Sequence, residues 1–485
     1  MLQGALPQSR NLYYGGQWLD PIDGTFSRIT NPATGELLAM VANAGVGDVS
    51  AAVAAAKVGF MSWRDVLPLE RGRILREAAS VIRANSRELA LLDAADSGNP
   101  FTEMLSDMNI AATQMDYFAG LVTEMKGASI PMGRDRINFS VREPLGVVAR
   151  ILAFNHPLMF AAGKSAAVLA AGNSVIIKPS EQAPLSALRL AELIGHLFPA
   201  GAFNVIAAAR TGSAALAEHP DVASVGLIGS VGAGRAVMRS GSETLKRVML
   251  ELGGKNALIA HADADPDAVA AAVVAGMNFS WCGQSCGSTS RAFIHADIHD
   301  AVLDLIPGHI ARFIPGIPTD PATTMGSIIS REQHTRILDY IKSGSAEGAR
   351  LLCGGGPPRN PGLAAGCFIE PTVFAGVTSQ MKIAREEIFG PVLSVLRWQD
   401  EQQMIREVND SPYGLTCAIW TRDLDRAFRT AQHVEAGFVW VNEVSRHFLG
   451  SPYGGYKQSG LGREECLAEL LAYTQEKNIH VKLGR

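Results

Sequence analysis

Cys286, in the run WCGQSCGSTSR, combines a nucleophilic side chain with room around it, because Gly283 and Gly287 let a ligand and backbone N–H groups come close. Two readings stay open from these residues alone. An activated thiolate would be a nucleophile; an unactivated thiol would be an inert buried cysteine, the commoner fate of a lone Cys. Cys282 and Cys286 stand in C-x3-C spacing with no second ligand pair, so no metal site is expected. Glu251 ends the apolar run RVMLELGGK, where partial desolvation would make its carboxylate basic enough to take a proton; a solvated strand-end carboxylate is the plainer alternative. Glu387, in REEIFGPV, is either a further acid or a solvated helix end. The run Gly229-Ser230-Val231-Gly232-Ala233-Gly234 brings glycines to a strand-to-helix junction, where a helix N-terminus can meet a phosphate. Its G-x-x-G-x-G spacing departs from the usual dinucleotide fingerprint, so a structural turn explains it nearly as well. Lys178 and Glu181, in VIIKPSEQAP, could meet ribose hydroxyls or simply flank an exposed proline turn.

The elements that would position these groups are visible in the patterning. From about Gly146, β-branched runs alternate with helical stretches: VVARILAF then 158–171, SVIIK then 184–197, FNVIA then 212–218, SVGLI then 232–240, and RVML. That alternation predicts parallel β-α-β units with helices on both faces. Such sheets bind ligands beyond the carboxyl ends of their strands, which is where Asn155, Lys178, Gly229 and Glu251 fall. A second α/β stretch, from about 254 to 440, contains NALIA, RAFIH, VLSVL, CAIW and FVWVN. Upstream, residues 47–97 repeat apolar side chains at helical spacing, with Asp48 the expected N-cap and Gly98 with Pro100 the expected stop. The tail NIHVKLGR predicts a terminal strand.

Composition narrows the class. At ~150 residues per domain, 485 residues predict about three domains. With 47% hydrophobic and 19% charged residues the chain has apolar surface for real cores, which excludes a mostly disordered protein. A net charge of −4 gives no electrostatic reason to expect a nucleic-acid or membrane partner. Six cysteines over this length do not form a disulfide framework. With no basic-then-apolar start, a cytoplasmic location is expected.

Taken together, EPLGVVARILAFNHP, NSVIIKPSEQAP, GSVGAG, LELGGKNALI, GQSC, EEIFGPV, NDSPYGL and SPYGGYKQSGLGREE make a specific combination. The chain resembles the NAD(P)-dependent aldehyde dehydrogenase superfamily over essentially its whole length. The resemblance implies an α/β fold with a Rossmann-like cofactor domain (1–122 and 146–252), an α/β catalytic domain (253–455) and a small β oligomerisation flap (123–145 and 470–485). It implies Cys286 as nucleophile, Glu251 as general base, and Asn155 as oxyanion donor beside the Cys286 backbone N–H. Lys178, Glu181, Gly229, Ser230, Glu387 and Phe389 would bind NAD, and Lys164 with Glu464 matches a pair linked to proton escape in some members. Retention of Glu251 points to hydrolysis of the thioester, since members that pass the acyl group to coenzyme A generally lack it. Glu181 would repel a ribose 2′-phosphate and so favours NAD, with NADP use left open.

For the substrate, the matching segments put His156, Phe160, Gly163, Ser445, His447 and Tyr453 along the aldehyde tunnel. Gly163 predicts a roomy tunnel and the two histidines a hydrogen-bonding substrate, hence a medium or bulky aldehyde, aromatic ones included. The alternatives are a semialdehyde whose carboxylate is held by Arg446 or a histidine, and a non-catalytic relative. Trp281 and Cys282 depart from the commoner polar pair. A homodimer or homotetramer is expected, because Ile479, Val481 and Leu483 give the last strand an apolar, open edge.

Overall fold

The computed structural model describes residues 2–484. Met1 and Arg485, which end the expected cofactor and flap segments, lie outside the described residues. Five parallel strands form the centre of an eight-stranded sheet, in spatial order Phe203–Val205, Ser174–Lys178, Val147–Ile151, Val222–Gly229 and Arg247–Leu252. The helices Pro157–Ala170, Leu185–Ile194, Arg210–Glu218 and Val231–Ser242 link them. These strands read as near-continuous apolar runs because both faces are covered: Val175, Ile176 and Ile177 are all fully buried. The chain leaves Val147–Ile151 toward one side, then returns to place Val222–Gly229 on its other side. The strand order thus reverses at Val147–Ile151, opening a crevice at its carboxyl end. Asn155 and Ser230 follow the two strands that flank that crevice.

A second sheet has seven strands, with Arg291–His295 between Ala257–Ala260 and Val392–Trp398. All its pairs are parallel except the one made by Arg350–Cys353. Gly460–Leu461 crosses back to pair with Arg247–Leu252, matching Gly460 to Glu251. That return folds the glycine-rich SPYGGYKQSG segment over the Glu251 end of the first sheet. The third sheet is antiparallel: Thr474–Lys482 pairs with Arg136–Pro144 over nine residues, and Ser129–Ile130 adds on the far side. Thr474–Lys482 begins four residues before the tail read as a strand, and the helix Leu467–Ala472 precedes it.

The helical stretch near the start is three helices, Val46–Trp63, Pro68–Ala84 and Ser86–Ser97. The last ends at Gly98, whose φ of +83° suits glycine. Asp48 is not an N-cap. The helix starts earlier, Gly45 is the cap, and Asp48 sits at the third helical position. Its carboxylate accepts from the Gly45 and Ile22 backbone N–H groups, each at 2.9 Å, so it ties the entering loop to the helix.

Candidate active site

A cavity of about 280 Å³ opens at the crevice and collects residues from both large sheets. Asn155, Gly229, Ser230 and Glu251 enter from the first, and Cys286, Glu387 and Phe389 from the second. The loop bearing Cys286 is held from below. Asn256 Nδ2 donates to the Cys286 carbonyl (2.7 Å) and to that of Ser288 (3.0 Å). Cys282 and Gly283 both have positive φ, and a Cβ at Gly283 would overlap the Gly390 carbonyl, so only glycine fits that turn. Burial, followed by the nearby Glu251 carboxylate, pushes the Cys286 thiol up to about 12. Glu251 is itself buried, and neither carboxylate oxygen has a hydrogen-bond partner among the described residues. Burial first, then Glu464, holds its carboxyl well above the ordinary range. Gly454 borders it closely: a Cβ there would lie 3.0 Å from Glu251 Oε1. Asn155 is buried, and its carbonyl is fixed by a 2.8 Å hydrogen bond from Asn99 Nδ2.

On the far side of the cavity, Ser230 caps the helix Val231–Ser242, its Oγ accepting from the Ala233 N–H at 3.2 Å. The Glu387 carboxylate accepts from the Gly254 N–H at 3.0 Å, and a Cβ on Gly253 would collide with it. Burial raises its pKa. Phe389 has φ +54°, with its ring edge-on to Phe154 at 5.7 Å. Gln333 Nε2 donates to the Phe389 carbonyl (3.0 Å) and Arg336 to that of Glu387 (2.8 Å), which holds this turn in place. Lys178 ends its strand buried, and burial lowers its pKa to about 8 against the opposing pull of Glu181. Glu181 is exposed and lines a neighbouring groove with Arg28, Asn31 and Arg331 rather than the cavity itself.

The residues expected along the aldehyde tunnel lie among rings and acidic partners. His156 Nδ1 lies 2.7 Å from Asp107 Oδ2, and its ring packs against Phe160 (5.3 Å) and Trp281 (5.6 Å). His447 Nδ1 lies 3.1 Å from Glu465 Oε2 and its ring 4.4 Å from that of Tyr453. The Tyr453 hydroxyl is 3.9 Å from Cys286 Sγ. Ser445 has φ +57° and a buried, unpartnered Oγ among the described residues.

Two expectations about this side need correction. Gly163 does not open the tunnel, because the space where its side chain would stand is filled by the Gln114 carboxamide. Arg446 does not reach inward: its side chain is 73% exposed and sits nearest Glu443. Below the floor lies a group that sequence reasoning caught only in part. Lys164 Nζ is 2.9 Å from Glu464 and 3.5 Å from Glu465, while the fully buried Arg150 donates to Glu464 Oε1 at 2.7 Å and to the Tyr473 hydroxyl at 2.5 Å. Arg150, Tyr473, Glu469, Asp107 and Gln114 were missed. The REE run and the mid-strand arginine of VVARIL were the only available signals.

The family model described as the aldehyde dehydrogenase family matches residues 18–479. Aldehyde dehydrogenase tropH of Talaromyces stipitatus is 50% identical over 490 residues, covering all of this chain and 95% of that protein. Betaine aldehyde dehydrogenase of Mesorhizobium japonicum is 40% identical over 474 residues, covering 97% of each. Among solved structures, P. syringae AldA indole-3-acetaldehyde dehydrogenase, a mutant in complex with NAD+ and IAA, superposes with a TM-score of 0.96 at 36% identity, covering 99% of this chain and 98% of that one. With the family's segments matched almost end to end and its fold reproduced around one shared cavity, the chain belongs to the aldehyde dehydrogenase family.

Proposed function

We propose that this chain oxidises a neutral, medium-sized or bulky, ring-bearing aldehyde to its carboxylic acid, using NAD and hydrolysing a Cys286 thioester. The observation that carries the proposal is the meeting of Cys286, Glu251 and Asn155 with Ser230 and Glu387 around one cavity. The residues fit the cofactor. The first-turn N–H groups of Val231–Ser242 lack intrahelical partners and suit a pyrophosphate. Glu387 and Phe389 suit the nicotinamide ribose, and Lys178 with Glu181 the adenine-side ribose. When bound, NAD supplies the hydride acceptor.

The chain's own residues divide the remaining work. Burial favours the protonated thiol of Cys286, so attack requires its proton to leave, and the unpartnered Glu251 carboxylate lining the same cavity is the group we assign to take it. Negative charge then develops on the former carbonyl oxygen. The Asn155 amide and the Cys286 backbone N–H supply donors, and losing one such donor raises a barrier by about 3 kcal/mol. After oxidation, Glu251 removes a proton from the water that attacks the thioester.

The wall chemistry guides the substrate reading. Asp107 and Glu465 stand behind the two histidines, and Arg446 is exposed beside Glu443, so a carboxylate-bearing semialdehyde would meet like charge. The rings of His156, Phe160, Trp281, His447 and Tyr453 suit a flat substrate, and the likeness to an indole-3-acetaldehyde dehydrogenase supports that choice. The test is NADH or NADPH formation across aliphatic, aromatic and semialdehyde substrates with each cofactor, in wild type, Cys286→Ala and Glu251→Gln. Aromatic aldehydes with NAD should lead, Cys286→Ala should be inactive, and Glu251→Gln should lose most of both the initial NADH formation and the steady-state rate. Full steady-state activity in either variant overturns the catalytic assignment, and a semialdehyde preference overturns the substrate one.

A further inference from the structure

Tyr453 is the only hydroxyl that the structure places against Cys286 Sγ among the described residues, at 3.9 Å. It is 5% exposed, whereas Tyr456, three residues on in the same YGGYK run, is 48% exposed. Its backbone is pinned in both directions: Tyr453 N–H donates to the Glu464 carbonyl (3.0 Å), and Glu464 N–H donates to the Tyr453 carbonyl (2.8 Å). Glu464 is in turn clamped between Arg150 and Lys164, so the ring hangs from an anchored strand pair. Its ring also packs, tilted, against those of His447 at 4.4 Å and Phe438 at 5.8 Å. Gly287 adjoins the hydroxyl, since a Cβ there would stand in van der Waals contact with it at 3.6 Å. A phenylalanine would satisfy all of this packing but would bring no polar atom to the sulfur.

We propose that the Tyr453 hydroxyl is a catalytic hydrogen-bond donor that stabilises the Cys286 thiolate. The phenol keeps its proton; the thiol proton goes to Glu251. The proposal rests on Cys286 being the nucleophile. The physical need is plain. The thiolate forms in a buried site with Glu387 near and Lys164 as the opposing cation. A donor aimed at sulfur offsets part of that repulsion and desolvation, and hydrogen bonds to charged acceptors are the strong ones. Burial keeps the phenol protonated, so it remains a donor throughout the working range.

The experiment is the pH dependence of Cys286 alkylation by iodoacetamide, followed by peptide mass spectrometry, in wild type and Tyr453→Phe. Removing the donor should make alkylation about tenfold slower throughout neutral and mildly alkaline pH, where the thiol is the major form in both proteins, which corresponds to about one unit in its pKa. kcat/KM for aldehyde should fall by a similar factor. Superimposable alkylation profiles overturn the proposal, whatever happens to activity. If Tyr453→Phe does not fold, 3-fluorotyrosine at position 453 replaces it. That residue keeps the shape and is a stronger donor, so alkylation should be faster over the same pH range, and an unchanged rate again overturns the proposal. Failure of the nucleophile assignment looks different: Cys286→Ala would then keep oxidising aldehydes.

Discussion

Replacing Glu464 with glutamine tests whether the buried ion group beneath the site both holds the fold and tunes Glu251. Glu464 Oε1 takes a hydrogen bond from Arg150 at 2.7 Å, Oε2 lies 2.9 Å from Lys164, and none of the three side chains is more than 5% exposed. Glutamine offers one oxygen and must turn its amide N–H2 toward one of the two cations. Removing one partner of such a buried pair costs about 3–5 kcal/mol, because a charge is left uncompensated. The sign with pH follows from the direction of the shift. Lys164 and Arg150 oppose burial and hold the Glu464 carboxyl below 4.5, so its stabilisation is full above that value and fades as pH falls through the lower folded value. The urea midpoint of Glu464→Gln should therefore lie well below wild type at pH 7, with the gap closing in acid. The same change removes a negative neighbour of Glu251 and leaves Lys164 in place, so Glu251 should ionise at lower pH. In kcat against pH, the acid limb should move down. An unchanged urea midpoint at pH 7, or an acid limb that moves up, would refute the reasoning.

Glu469 is fully enclosed and held up to about 8, chiefly by burial and then by Glu464, so its folded-state advantage is full below 4.5 and is lost as pH rises through about 8. Glu469→Gln should match wild type in melting temperature near pH 4.5 and exceed it above pH 8; an equal gap at both would count against a titrating Glu469. Gly163→Trp should lower the melting temperature and depress all aldehydes alike, because the new ring meets Gln114 rather than an open tunnel, with overpacking of this kind costing about 1–3 kcal/mol. Selective loss of bulky aldehydes in a fully stable Gly163→Trp would restore the tunnel role. Light scattering should report a dimer or a tetramer of 51.5 kDa chains, since Thr474–Lys482 has a partner on one side alone among the described residues, and Ile130, Ile137 and Val481 are exposed on that sheet. A stable monomer would contradict this.

What could be read from the sequence and what could not follows from how far each interaction reaches along the chain. The run from Val147 to Leu252 was legible because each strand is a local apolar run and each helix has its own period, and Asn155, Ser230 and Glu251 inherit their places from those strand ends. Asp48 was misplaced by three positions because a carboxylate at the third helical residue and one at the cap leave nearly the same local signature. The failures that matter are long-range. Arg150 and Glu464 are 314 residues apart, and no period links them. Gly163 was read as space, yet the space belongs to Gln114 on the helix Phe101–Gly120, which packs against the helix carrying Gly163. A glycine states only that its own side chain is missing; which neighbour fills the gap is a tertiary fact. The direction of Arg446 was left open for the same reason, since a charge in a loop carries no direction until the loop is placed. The division has a chemical consequence. The residues proposed to transform the aldehyde ride on strand ends and glycine turns, which local patterning places. Glu464, which adds to burial in raising the pKa of Glu251, and Gln114, which fills the space beside Gly163, arrive from distant segments, through contacts that only the folded chain creates.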